Sequence, residues 1–210
     1  ALCTVSIACP VWSALIWVAF IPLLLAVRGA SIKRGFLLGL CMGTLATIGG
    51  YYWVWGSIAR FLQLSPFFAT LLFLVFVLYQ GLQFAFFTSA LRFRAAPRWQ
   101  FFLPPLLWVV LEHYYPAFSP WQLGNVLRPH IPFLQLAPIT GGVGLSFAIV
   151  SVNSFLSHGY TQRQLGRNWR PACLAALGVI LGLEAYGRWS LMQVEHEQAA
   201  RAITIAIAQG

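Results

Sequence analysis

Apolar runs close to the thickness of a bilayer core dominate this chain and leave it few folds. About 20 apolar residues carry a helix across the hydrocarbon layer, where each backbone polar group must be satisfied inside the protein. Runs of this kind are expected over residues 1–9, 11–27, 35–54, 67–91, 101–115, 141–158 and 171–186, the first reading as the tail of a longer span. Charged residues make up only 8% of the chain, against about a quarter in a soluble domain. The fold class that follows is an all-α polytopic membrane helix bundle with about seven transmembrane helices over residues 1–190.

The net charge of +9 does not indicate nucleic acid. Nine of the thirteen Lys and Arg lie in three clusters: Arg28, Lys33 and Arg34; Arg92, Arg94 and Arg98; and Arg163, Arg167 and Arg170. Basic clusters separated by pairs of apolar runs are the pattern of the positive-inside rule. The loops at 28–34, 92–98 and 163–170 are therefore expected inside. The turns after Trp55, Tyr115 and Trp189 are expected on the outer, periplasm-like face. The charge reports topology, with affinity for anionic headgroups as a consequence.

Local signals add detail. Gly35, Gly39 and Gly43 recur at every fourth position and predict a close helix–helix approach. The aromatic group from Tyr51 to Trp55 has the character of a membrane surface. Ser65-Pro66 predicts a helix start. Of the four cysteines, Cys3 and Cys9 lie near an outer end, while Cys41 and Cys173 read as small buried hydrophobes. None has metal-ligand spacing, so neither a metal nor a cofactor is expected. Residues 191–210 read as a linker followed by a strand, because Ile203, Ile205 and Ile207 alternate with small or polar residues. A lone strand is not stable, so this one is expected to open a further domain.

The stretch from Trp108 to Asn125 stands apart. It begins as an apolar helix, carries Glu112, breaks at Pro116 and Pro120, presents Trp121 and turns at Gly124-Asn125. A carboxyl group in a span costs a few kcal/mol and faces the bundle interior or a wet cavity. Glu112 shares a helix face with Trp108 and Tyr115 by its spacing. It reads as the wall of a lipid or substrate cavity, as a structural pair with a nearby Arg or His, or as a hydrogen-bond anchor for the irregular segment. His113 points to another face and reads as interfacial. Glu184 and Arg188 have the spacing of an i, i+4 pair. Asn153, in mid-span, suits an interhelical hydrogen bond. The lone lysine, Lys33, falls on the opposite side from this stretch, and no nucleophile with a base in reach is evident.

Several passages, taken in order, resemble the membrane part of apolipoprotein N-acyltransferases. They are Phe20–Gly29, Gly50–Trp53, Leu107–Glu112, Ser119-Pro120-Trp121-Gln122-Leu123-Gly124, Gln135–Pro138, Gly141–Phe147 with Asn153, and Ile207–Gly210. Ser119 stands where the family usually has Phe, and Tyr115 where it often has Arg. The resemblance implies an inner-membrane protein of bacteria whose C-terminus lies on the periplasmic side. It implies a following nitrilase-like domain, beyond Gly210, whose Glu-Lys-Cys triad forms a cysteine thioester. The acyl donor it implies is a membrane phospholipid, and the acceptor is a diacylglyceryl apolipoprotein. Glu112, Pro120, Trp121, Gly124 and Asn153 are then candidates for shaping the region where lipid gains access. A transporter-like protein or a scaffold without catalysis are the other readings. A transporter would favour paired repeats with helices broken at midplane, which are not seen in the sequence.

Overall fold

The computed structural model describes residues 10–91, 101–116 and 122–200. After a 3-10 turn at Pro10–Leu15, the first apolar segment continues as α1 (Ile16–Ala19) and α2 (Ile21–Val27). Next come α3 (Ile32–Gly50), α4 (Tyr52–Phe61) and α5 (Pro66–Ala90). The helix α6 (Leu103–Tyr114) leads to a 3-10 turn at Leu123–Leu127 and the short α7 (Ile131–Leu134). The chain then makes two long helices, α8 (Ala137–Gln164) and α9 (Arg170–Ala200).

Among the described residues, four helices are long and apolar enough to cross a membrane: Ile32–Gly50, Pro66–Ala90, Ala137–Gln164 and Arg170–Val194. A shorter apolar segment covers Ser13–Val27. The all-α membrane architecture holds, but the expected count of about seven is not reached among the described residues. The run at 1–9 and the strand at 203–210 lie outside them. Within the run at 101–115 the described helix α6 has 12 residues, about 18 Å at 1.5 Å per residue, shorter than a core about 30 Å thick. Prolines set its length, since Pro104 and Pro105 open it and Pro116 follows its last turn. The run at 35–54 also divides. Its aromatic end forms α4 as a separate helix, and none of that helix's residues is buried. α9 runs on to Ala200, into the stretch expected as a linker.

The glycine stripe packs as expected. A side chain at Gly39 would collide with Thr88 and Phe84 and lie 2.8 Å from Ala85 Cα; one at Gly43 would lie 2.9 Å from Gly81 Cα. The antiparallel pair α3–α5 therefore meets backbone to backbone, and Thr88 Oγ1 donates across the seam to the Gly35 carbonyl at 2.8 Å. Cys41 is a correction, because it faces outward from α3 and is exposed. In a bilayer the apolar surroundings let small hydrophobes face lipid as well as core.

Asn153 joins α8 to the first segment by a more specific device. Pro22 cannot sit in an undisturbed helix, and the helix opens at Phe20, between α1 and α2. The fully buried Asn153 amide enters this gap. Its Oδ1 accepts from the Phe20 N–H and its Nδ2 donates to the Ile16 carbonyl, both at 2.9 Å. The two backbone groups that an unbroken helix would have paired are thus satisfied through one side chain. An Asn153→Leu variant, similar in volume, should lose about 2 kcal/mol of stability, measured by reversible unfolding in mixed detergent micelles.

Arg28 fixes which ends lie together. Its guanidinium donates to Thr161 and, at 3.4 Å, to Ser157, near the last turn of α8. The clusters at 28–34 and 163–170 therefore share one end of the bundle, the pairing the charge pattern calls for.

Candidate functional site

α6 begins level with the C-terminal half of α8, where the Phe101 carbonyl accepts from Ser154 Oγ at 3.1 Å. It ends beside Tyr79, near the middle of α5. Tyr115 donates to the Tyr79 carbonyl and Tyr79 donates to the Pro116 carbonyl, each at 2.5 Å. The chain therefore leaves helical structure level with the middle of α5. Irregular backbone at that depth is tolerated only where the protein satisfies it or where it lines a wet cavity.

Glu112 supplies part of that satisfaction. Its Oε1 accepts from the Leu123 N–H at 2.6 Å and from Trp108 Nε1 at 3.3 Å. The next amide, Gly124 N–H, donates to Ser146 Oγ at 2.9 Å. Two consecutive amides of the returning chain are thus held by side chains from α6 and α8. Gly124 must be glycine, because a Cβ there would lie 2.5 Å from the Gly142 carbonyl and 2.7 Å from Leu145 Cβ. Gly141, at φ 67, bends the start of α8 so that the Gly142 carbonyl meets the turn. Trp108, only 2% exposed, backs the site with Phe20, Phe84 and Phe87 at ring distances of 5.0, 4.9 and 5.2 Å.

The other carboxyl oxygen, Glu112 Oε2, is buried and has no hydrogen-bond partner among the described residues. It borders a cavity of about 30 Å³ lined by Thr47, Tyr51, Gln80, Gln83 and Trp108. This is room for a water molecule and far too little for a lipid headgroup. Gln80 Oε1 is buried and without a partner in the same way. Gln80 and Gln83, the two amides of α5, were the signal available in sequence for this lining. Ser146 carried none, since its partner comes from a chain return 22 residues away.

Of the candidates, Glu112 and Gly124 come together through Leu123 and Ser146. Asn153 stands apart from them in the seam with α1 and α2, with the Phe20–Trp108 contact between. Pro120 and Trp121 lie outside the described residues. His113 is exposed and meets Tyr114 at a ring distance of 4.8 Å. Glu184 and Arg188 form the expected pair at 2.7 Å. Among the described residues no group of His, Cys, Asp or Glu has the arrangement of a metal site.

On the other flank of the α8 glycines lies a larger groove of about 540 Å³. Phe102 and Val109 of α6, Gly144, Phe147 and Phe155 of α8, and Val179 of α9 line it. It is apolar and open to one side, within the range of pockets that take ligands of a few tens of atoms.

Residues 1–155 match the family described as apolipoprotein N-acyltransferase N-terminal domain. An apolipoprotein N-acyltransferase of Geobacter metallireducens is 33% identical over 196 residues, covering 89% of this chain and 37% of the relative. Apolipoprotein N-acyltransferase 1 of Leptospira interrogans serovar Lai is 24% identical over 195 residues, covering 89% of this chain and 34% of the relative. The chain thus spans little more than a third of the length of these relatives.

Proposed function

The chain belongs to the apolipoprotein N-acyltransferase family, and on that premise we propose that it forms the membrane part of an enzyme that moves an acyl chain from a phospholipid to the N-terminal diacylglyceryl-cysteine of lipoproteins. The family match over residues 1–155 carries this reading. The catalytic cysteine belongs to a nitrilase-like domain beyond Gly210, with a glutamate and a lysine beside it. Its thiolate attacks the donor ester carbonyl, forming a thioester and releasing a lysophospholipid. The acceptor's α-amino group then attacks the thioester, forming an amide and returning the thiol. Two transfers of moderate barrier replace one that is difficult.

The membrane part brings lipid to that chemistry. The groove beside α6, α8 and α9 receives an acyl chain. The segment from Pro116 to Gly124, carrying Pro120 and Trp121, forms the rim of the access region. Glu112 acts as a positioning residue for that rim, and Asn153 holds the first segment against α8. The protein sits in the inner membrane of a bacterium, with the basic clusters inside and the C-terminus on the periplasmic side.

The test is expression of the full-length polypeptide in cells depleted of their own lipoprotein N-acylation. Mass spectrometry should then find a third acyl chain, amide-linked, at the lipoprotein N-terminus. Lipoproteins that keep a free α-amino group despite full expression would contradict the assignment.

A further inference from the structure

Helix α4 is a surface feature that acyl transfer leaves unused. It has 10 residues, about 15 Å of helix, and cannot cross a bilayer. Its two ends join α3 and α5, which span the membrane in opposite directions and meet it at the same face. α4 is therefore held at the membrane surface. No residue of α4 is buried, and large apolar side chains surround it: Trp53 is 58% exposed, Phe61 87% and Phe67 72%. Aromatic side chains exposed at the end of a span suit the interfacial layer of a bilayer.

The charge of this surface selects the partner. Arg60 is the one charged residue between Arg34 and Arg92. Among the described residues the ion pair present is Glu184–Arg188, so no described carboxylate neutralises Arg60. The guanidinium turns back along α4 towards Gly56, 3.5 Å from where a Cβ would stand. Trp53, Ser57, Arg60 and Phe61 lie along one open face of α4. Trp55 Nε1 donates to Thr70 Oγ1 at 3.1 Å and fastens α4 to the first turn of α5.

We propose that α4 lies in the headgroup layer of the outer leaflet and that Arg60 binds the phosphate of a phospholipid there; the Ser57 hydroxyl on the same face donates to the Trp53 carbonyl at 3.3 Å and leaves the phosphate to the guanidinium. Amphipathic helices bind lipid surfaces by this combination of buried aromatic side chains and basic residues. The site is separate from the acyl-transfer reading, because its measurements do not depend on turnover.

The full-length protein is placed in nanodiscs of phosphatidylglycerol and phosphatidylethanolamine, with a nitroxide at Phe61→Cys. The label should be more accessible to oxygen than to a water-soluble nickel chelate, as at headgroup depth. Arg60→Gln should weaken retention of phosphatidylglycerol about fivefold, the contribution of one basic residue near an anionic surface. Retention of diacylglycerol, which lacks the phosphate, should not change, and inorganic phosphate should not displace the lipid. Three results would overturn the proposal: a label as accessible to nickel as in water, unchanged retention in Arg60→Gln, or protection of the label from both reagents only when the residues after Ala200 are present. The last would make α4 a docking surface for protein.

Discussion

Replacing Glu112 with alanine should remove about 3 kcal/mol of stability, since an orphaned buried donor costs about 1–3 kcal/mol and two are orphaned. These donors are the Leu123 N–H and Trp108 Nε1, both of which meet Glu112 Oε1. Glu112→Gln keeps a carbonyl oxygen in the same place and should lose less than about 1 kcal/mol. Reversible unfolding of the purified protein in mixed micelles reads the difference. Acyl transfer by the full-length polypeptide should follow the same order, lost in the alanine variant and retained in the glutamine one. That order separates an anchor from an acid or base, because glutamine serves the first role and not the second. Equal loss in both variants would assign Glu112 a chemical role.

The second large effect is expected at the α3–α5 seam. Gly39→Val places a branched side chain against Thr88, Phe84 and Ala85, where no rotamer avoids the opposite backbone. Overpacking of a well-filled core costs about 1–3 kcal/mol and more where backbone must move. Here backbone must move, so the variant should fail to accumulate as folded protein. Thr88 would also lose the Gly35 carbonyl it reaches at 2.8 Å. Gly29→Ala is the control for glycine loss without crowding: nothing lies within 4 Å of its Cβ position, although its φ of 74 adds backbone strain. Protease resistance in membranes ranks the two, and Gly39→Val should be the more sensitive.

What could be read from sequence follows from what determines each feature. The bounds of α5 were legible to within a residue, since an apolar run between Ser65-Pro66 and a basic cluster leaves no other choice. Ser65 takes the N-cap position, but its hydroxyl makes no capping bond. The glycine stripe was legible because small residues at every fourth position have one effect in a membrane helix. The length of helix within the 101–115 run was not legible, because hydropathy measures apolarity and not straight length. Pro104 and Pro105 at its start and Pro116 after its end bound the helix at 12 residues. α4 was hidden for a related reason, as its aromatic residues look like the end of the span before them. Cys41 shows the remaining limit: in a bilayer, apolarity does not identify the buried face.

The candidate site divides in the same way. Glu112 stood out because few carboxyl groups belong in apolar helices. Its partner Leu123 did not, nor did Ser146 as the acceptor for Gly124, since both contacts form only after the chain has turned back against α6 and α8. Asn153 was expected to bond between helices, but the bond it replaces, Ile16 to Phe20, depends on where Pro22 breaks the first segment.

The most direct test of the central claim is to incubate the purified full-length protein with a phospholipid labelled in its acyl chain and to map the bound label. The account predicts a hydroxylamine-sensitive thioester on a cysteine beyond Gly210, transferable to a diacylglyceryl peptide with a free N-terminal amine. Label on Cys3, Cys9, Cys41 or Cys173, or no covalent label with active lipid present, would contradict it.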